Sequence, residues 1–197
     1  MTDQPITVGR VLRSSTAGFT VGCRIRQQDV PEFGAFVKVT HDAAYTVGLI
    51  YDVQFVDDPL VRQIITAEPV STELQLDQSQ RLAPNEISVL IIGFTREGKI
   101  YQHLPPQPPA TLYQIVTCTS GEVIAFTQQF TFLRTILDAR DAPADELVAA
   151  SLRLAAAARP ESERRAFLLS AGRELARLLS ADPVKLEGIL RRIRPQL

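Results

Sequence analysis

The chain has few of the residues from which enzymes and metalloproteins build their sites. Its 197 residues include two cysteines, two histidines and one methionine. Cys23 and Cys118 lie far apart in strand-like segments, which favours two reduced core residues over a disulfide. Two histidines leave little material for a catalytic triad or a zinc site.

Long apolar runs, a strong net charge and nucleotide-binding motifs are also lacking. No apolar stretch approaches the roughly 20 residues that a membrane-spanning helix needs. The formal net charge of -1 argues against a chain-wide attraction to nucleic acid or anionic lipid. The sequence has no phosphate-binding loop, no G-x-G-x-x-G fingerprint, no G-x-S-x-G elbow and no Cys/His cluster with metal spacing. We therefore expect a protein that is not an enzyme and needs no cofactor or metal.

The first half of the chain instead shows a period-two alternation of apolar and polar residues. Such alternation is typical of strands with one buried face. It predicts strands over residues 6–13, 18–25, 35–40, 44–55, 86–94, 100–103 and 112–118. The first four strands, with their short links, are expected to form a meander, and residues 96–99 the turn of a hairpin.

Three connecting segments carry signals of their own. Asp58 can cap a helix and Pro59 can occupy its first position, which predicts a short helix over 59–67. The mostly polar stretch 68–84 is expected to be an exposed connection. The proline-rich stretch 105–109 is stiff and extended, so it is either a spacer or a segment that wraps the barrel surface.

Beyond Ser120 the apolar residues change to helical spacing. The clearest signal is the last helix, where Asp182 is the expected cap and Pro183 the first residue. The sequence therefore predicts an α+β protein. A small N-terminal antiparallel β-barrel over residues 1–118 is followed by a C-terminal α-helical domain over 119–197.

Two sets of polar residues are weighed as catalytic or metal sites. His41 lies beside Asp42 in a predicted turn, where a solvated loop residue is the simpler interpretation than a general base. Asp52, Asp57 and Asp58 carry the carboxylate oxygens that hard cations bind, but Asp58 has a capping role and about six oxygen ligands would have to converge. We therefore assign neither set to catalysis or to a metal.

Arginines of the C-terminal helices are the candidate contacts to nucleic acid. They form two groups, Arg164 with Arg165 and Arg191 with Arg192 and Arg194. Arginines on a helix face are usually only solvated, and acidic residues are interspersed here. Both interpretations stay open at this point.

Several segments of the first 118 residues resemble a known barrel. They are VGRVL (8–12), SST (14–16), FTV (19–21), FGAFVKV (33–39) and VGLIYDV (47–53), followed by DDPLVR (57–62), VLIIG (89–93) and the prolines before Leu112 and Tyr113. Together they are similar to the HAS-barrel, the N-terminal barrel shared by HerA-type DNA translocases and rotary ATP synthase subunits. In that family the barrel forms a ring collar that holds subunits together and docks partners such as a nuclease.

The chain departs from this family after the barrel. An ATPase core follows the barrel in the family, whereas here a helical segment takes its place, so no catalytic residue carries over. The resemblance implies a non-catalytic assembly or adaptor module for a separate HerA-type DNA-processing ATPase. Its partners would be further copies of itself, the ATPase or a nuclease.

Two other functions remain as alternatives. The first is a nucleic-acid-binding protein that uses the C-terminal arginine-rich helices, and the second is an enzyme with an unrecognised site. The first residues lack the basic start and apolar centre of a secretory signal, so a cytoplasmic location is expected, without membrane association.

Overall fold

The computed structural model describes residues 4–25, 31–41, 44–55 and 83–193. The strands in these residues are β1 (Thr7–Ser14), β2 (Gly18–Ile25), β3 (Phe36–His41), β4 (Ala44–Phe55), β5 (Ala83–Arg96), β6 (Lys99–Tyr101) and β7 (Gln114–Thr117). The helices are α1 (Ser120–Phe126), α2 (Phe132–Leu137), α3 (Ala144–Ala157), α4 (Glu161–Leu178) and α5 (Pro183–Ile193). The predicted helix at 59–67 lies outside the described residues.

Six strands close into an antiparallel barrel. The order is β2-β1-β7-β3-β4-β5, and pairing of β2 with β5 closes the ring, while β6 extends β5 as a hairpin. The predicted α+β fold, a barrel followed by helices, is confirmed. The predicted meander is wrong, because β7 inserts between β1 and β3 and β2 turns to β5 instead.

The start of β5 also corrects the predicted connection at 68–84. The partner strand β2 continues to Ile25, which pairs with Ala83. Residues 83 and 84 therefore belong to β5, and the remainder of that connection lies outside the described residues. The hairpin is confirmed, with Arg96 pairing Lys99 across a two-residue turn.

One core cluster fills the inside of the barrel. The alternation found in the sequence turns one side chain in two inward from each strand. The buried members are Val8, Val11, Phe19, Val21, Val37, Val39, Ile50, Ile87, Val89, Ile91 and Ile115.

A second core cluster lies between the outside of the barrel and the helices. Phe36 of β3, Val47 and Leu49 of β4, and Ile92 of β5 face outward and are buried under helical residues. Phe36 meets Phe126 and Phe132 edge to face, with both ring centroids 6.5 Å away. The helices therefore pack directly on one wall of the barrel.

The helical segment begins with two short helices rather than one. The apolar spacing from Phe126 to Leu137 would suit a single helix, but α1 ends at Phe126 and α2 starts at Phe132. Gln102 joins them: its side-chain amide donates to the Phe126 carbonyl at 2.6 Å, and its oxygen accepts from the Phe132 amide at 3.1 Å. Gln102, the residue after β6, thus gives a hydrogen-bond partner to a backbone carbonyl at the end of α1 and to a backbone amide at the start of α2.

A buried arginine links three helices. Arg159 donates to the Ala155 carbonyl at the end of α3 and to the Thr127 hydroxyl after α1, at 2.6 and 2.7 Å. Its guanidinium lies 3.7 Å from the centroid of the Phe167 ring on α4. Burial lowers the pKa of Arg159, and the charge of Glu163 partly offsets that effect.

Two further predicted features are confirmed. The Asp182 side chain accepts from the Lys185 amide at 3.0 Å at the start of α5, as expected of a helix cap. Pro105 and Pro109 are buried, and the Ser14 hydroxyl donates to the Pro109 carbonyl at 2.6 Å. The proline-rich segment therefore lies against the barrel, as one of its two interpretations required.

Gly34, between β2 and β3, lies directly against α3. Its φ is 85°, and a Cβ there would lie 2.6 Å from the Ala150 Cβ and 3.0 Å from the Ser151 amide nitrogen. Gly98, in the β5–β6 turn, also has a positive φ of 74°, but a Cβ there would meet nothing within 4 Å.

These two glycines allow packing to be measured apart from backbone strain. Gly34→Ala is expected to lower the free energy of unfolding by about 2–5 kcal/mol, because it adds an overpacked contact to an unfavourable φ. Gly98→Ala should cost about 1 kcal/mol, from the φ alone. Urea unfolding of both variants measures the difference. Equal losses would show that the contact with α3 is not tight.

Candidate functional site

An unusual backbone conformation lies just before β7. Leu112 has a φ of 68°, in the left-handed region that an apolar residue rarely adopts. Its side chain is 70% exposed. A large apolar side chain is thus held in solvent by a backbone conformation that costs about 1–2 kcal/mol.

Hydrogen bonds on both sides fix this conformation. The Leu112 amide donates to the Val11 carbonyl at 2.8 Å, and the Val11 amide donates to the Tyr113 carbonyl at 3.0 Å. Nη1 of Arg10 donates to the Leu112 carbonyl at 2.9 Å. The exposure of Leu112 is therefore imposed by its neighbours on β1.

Two more exposed apolar residues are adjacent in the chain to the bonded pair of Val11 and Leu112: Leu12 follows Val11, and Tyr113 follows Leu112. Leu12 is the extra residue where the β1–β2 register shifts between Val11 and Arg13, and it is 46% exposed. Its side chain covers Gly22, where a Cβ would lie 2.8 Å from the Leu12 Cγ. Tyr113 is 42% exposed. We call Arg10, Leu12, Leu112 and Tyr113 the Leu112 surface.

The Leu112 surface carries one positive charge that no described carboxylate neutralises. Among the described residues, the Arg10 side chain makes one hydrogen bond, which goes to the Leu112 carbonyl. Four of its five N–H donors therefore make no hydrogen bond to a described residue. The neighbouring Arg13, by contrast, is paired with Glu86 at 3.0 Å.

Strand pairing limits how a partner could bind here. β1 is paired with β2 and β7, and β7 is paired with β1 and β3. Neither strand offers a free edge to which another strand could be added. A partner must therefore contact the surface through side chains, with apolar groups against the leucines and an acidic group near Arg10.

A cleft of about 750 Å³ lies elsewhere, between the outer wall of the barrel and the loop from α2 to α3. Phe19, Leu90 and Tyr51 are among its lining residues on the barrel side. Its charged lining residues are Arg13, Arg140, Asp138 and Asp141. Charges of both signs in equal number favour no single class of ligand.

The cysteines are not activated for chemistry. Both thiols are free, as predicted. Burial, and then the charge of Glu122, raise the pKa of the Cys118 thiol, and burial raises the pKa of Cys23. A raised pKa keeps a thiol protonated at neutral pH, which is the reverse of what a nucleophile needs.

An ion pair fastens α1 to the barrel near Cys118. Lys38 of β3 donates to the Glu122 carboxylate, and both side chains are largely buried. Glu122 also accepts from the Thr119 amide at 2.9 Å, completing a capping box with the Thr119 side chain. Burial acts to raise the pKa of Glu122, but these hydrogen bonds and the Lys38 charge lower it below its ordinary value of 4.5.

The candidate arginines do not form one patch. Arg164 donates to the Arg159 and Ala157 carbonyls at the end of α3. Arg192 pairs with Glu146 at 2.6 Å, near the start of α3. These two anchor points lie about 16 Å apart along the helix.

The remaining candidate arginines are less engaged. Arg165 and Arg191 are exposed, and no ion pair within the described residues involves either. Arg194 lies outside the described residues. Among the described arginines, the structure therefore does not bring the two groups together.

Only His41 and Asp52 of the residues weighed for catalysis or metal binding fall within the described residues. Nε2 of His41 lies 3.2 Å from the Thr46 hydroxyl, and the Asp52 carboxylate accepts from Gln54 at 2.7 Å. Asp57 and Asp58 lie outside the described residues. Within the described ranges no group of three potential metal ligands is found.

Sequence pattern alone does not indicate the Leu112 surface. The alternation of apolar and polar residues predicts a strand over 112–118. In the structure β7 covers Gln114–Thr117, and Leu112 has a left-handed backbone conformation. Neither glycine nor asparagine stands at position 112 to signal a positive φ. The feature depends on the register of β1 against β7, which local pattern does not reveal.

No protein-family model matches the chain, and no curated protein is significantly similar to it. None of the helices in the described ranges has the length and apolar character required to cross a membrane.

The lowered pKa of Glu122 makes stability dependent on pH. A carboxyl with a depressed folded-state pKa stabilises the fold above its unfolded-state pKa, near 4.5, and loses that effect as pH falls through the folded value. Glu122→Gln should therefore be less stable than the parent at pH 6, with the difference shrinking by pH 3. Urea unfolding across this range measures it. Lys38→Met should also be less stable than the parent at pH 6, with a smaller difference at pH 3. A stability difference that stays constant with pH would contradict the assignment of this effect to the Glu122 carboxyl.

Proposed function

We propose that the chain is a non-catalytic assembly or adaptor module that binds a protein through the Leu112 surface. The observation that carries the proposal is Leu112 itself, an apolar side chain 70% exposed in a left-handed conformation. Local strain that neighbouring bonds maintain is a recognised mark of functional sites. Leu12 and Tyr113 are exposed near it, so the exposed apolar area is larger than one leucine side chain.

The partner to test first comes from the sequence. Segments within the first 118 residues resemble the barrel of HerA-type DNA translocases, in which the barrel holds subunits together. A separate HerA-type DNA-processing ATPase is therefore the proposed partner, with further copies of the chain as the other. Cytoplasmic location remains part of this proposal.

Direct binding of nucleic acid has less support. Of the candidate arginines, Arg164 caps a helix and Arg192 is paired with Glu146. A phosphate-binding footprint is normally a continuous basic surface, and its affinity falls steeply with salt. Arg191→Ala/Arg192→Ala/Arg194→Ala is accordingly expected to leave assembly intact.

Leu112→Asn tests the Leu112 surface without breaking the fold. Asparagine tolerates a positive φ better than leucine, so the variant removes the apolar contact while relieving strain. Light scattering should show that the parent forms a discrete complex, alone or with a purified HerA-type ATPase. The variant should lose that complex and unfold in urea no more easily than the parent.

Leu169→Asn is the matched control, because Leu169 is 56% exposed on α4. It should retain the complex. An equal effect of both variants, or none from Leu112→Asn, would contradict the proposal. A mass that increases only with duplex DNA at low salt would replace it with the nucleic-acid function.

A further inference from the structure

A second exposed apolar surface lies at the start of α5. Val184 is 81% exposed, the highest value among the large apolar residues of the described chain, and Leu112 is second. Asp182, Pro183 and Glu187 are exposed around it. Val184 and Glu187 are three positions apart on the helix and therefore share a face. We call these four residues the Val184 surface.

The Val184 surface carries two carboxylates, and only one of them has a partner among the described residues. Asp182 accepts from the Lys185 amide, and Lys185 pairs with Asp145 at 3.3 Å. Glu187, however, has no ion pair with any described residue. A carboxylate without a partner in the described chain thus stands beside the most exposed apolar side chain.

The two surfaces have complementary chemistry. Each joins a strongly exposed apolar residue to a charge that no described residue pairs, positive at Arg10 and negative at Glu187. A guanidinium with free donors can hold a carboxylate through two parallel hydrogen bonds. Because Leu112 and Val184 are both exposed in the same chain, they do not cover each other within it.

We propose that the Val184 surface of a second copy of this chain covers the Leu112 surface, with Glu187 against Arg10. This inference rests on the proposed function and concerns the second of its two partners, a further copy of the chain. The two surfaces differ, so the contact is heterologous. Each copy carries one surface of each kind and can therefore contact two other copies. Such contacts generate closed rings or open chains of copies.

Charge reversal tests this pairing. Arg10→Glu and Glu187→Arg should each weaken self-association about tenfold or more, because each places like charges together. The double variant Arg10→Glu/Glu187→Arg restores opposite charges and should recover the parent's association. Light scattering over a range of protein concentrations in about 0.15 M salt gives the mass, and circular dichroism confirms folding. Glu187→Arg breaks no ion pair with a described residue, so it keeps the test valid if Arg10→Glu misfolds.

The control reverses a charge outside both surfaces. Arg165 is exposed on α4 and pairs with no described residue, so Arg165→Glu should leave association unchanged, and Arg165→Glu/Glu187→Arg should not recover it. A parent that stays at the 21.8 kDa monomer mass, or a folded double variant that fails to recover, overturns the inference. The proposed function fails separately, when Leu112→Asn alters no complex with either a second copy or the ATPase.

Discussion

The structure depends on a stretch of barrel wall that is apolar on both faces. β3, β4 and β5 turn Val37, Ile50 and Ile91 into the barrel and Phe36, Leu49 and Ile92 outward. A wall of this kind cannot stand in water on its outer side, because burying apolar area is the main favourable term in folding. The helices are the cover that this wall requires. Their position also explains why the described helices leave the opposite wall, which carries β1 and β7, uncovered.

Polar groups then determine where the helices pack on this wall. Lys38 with Glu122 fixes α1 on β3, Gln102 fixes the junction of α1 and α2, and Arg159 gathers the ends of α1 and α3 against Phe167. Each group is largely enclosed and finds its partner in backbone or side chain, as buried polar groups must. Apolar packing alone would allow the helices to slide along the wall, whereas these directional bonds select one placement.

Local sequence pattern predicts individual strands and helices but not how the strands pair with one another. Period-two alternation predicts β2 and β4 to the residue, and Asp182 with Pro183 predicts the start of α5. The insertion of β7 between β1 and β3 depends on pairing between distant segments, which alternation does not encode. Charge alone points to the C-terminal arginines, but Arg164 and Arg192 are used within the fold. The Leu112 surface arises from strand register and a left-handed residue, so neither composition nor periodicity could reveal it.

The position of β7 has a consequence for how the chain is made. Ile6 and Thr117, 111 positions apart, hydrogen bond where β7 meets the strand that begins the barrel. During synthesis, β1 and β3 therefore keep open edges until β7 has left the ribosome. Open edges are templates for pairing with other chains, and contacts between distant segments slow folding. The nascent barrel thus remains exposed to aggregation until its last and shortest wall strand arrives.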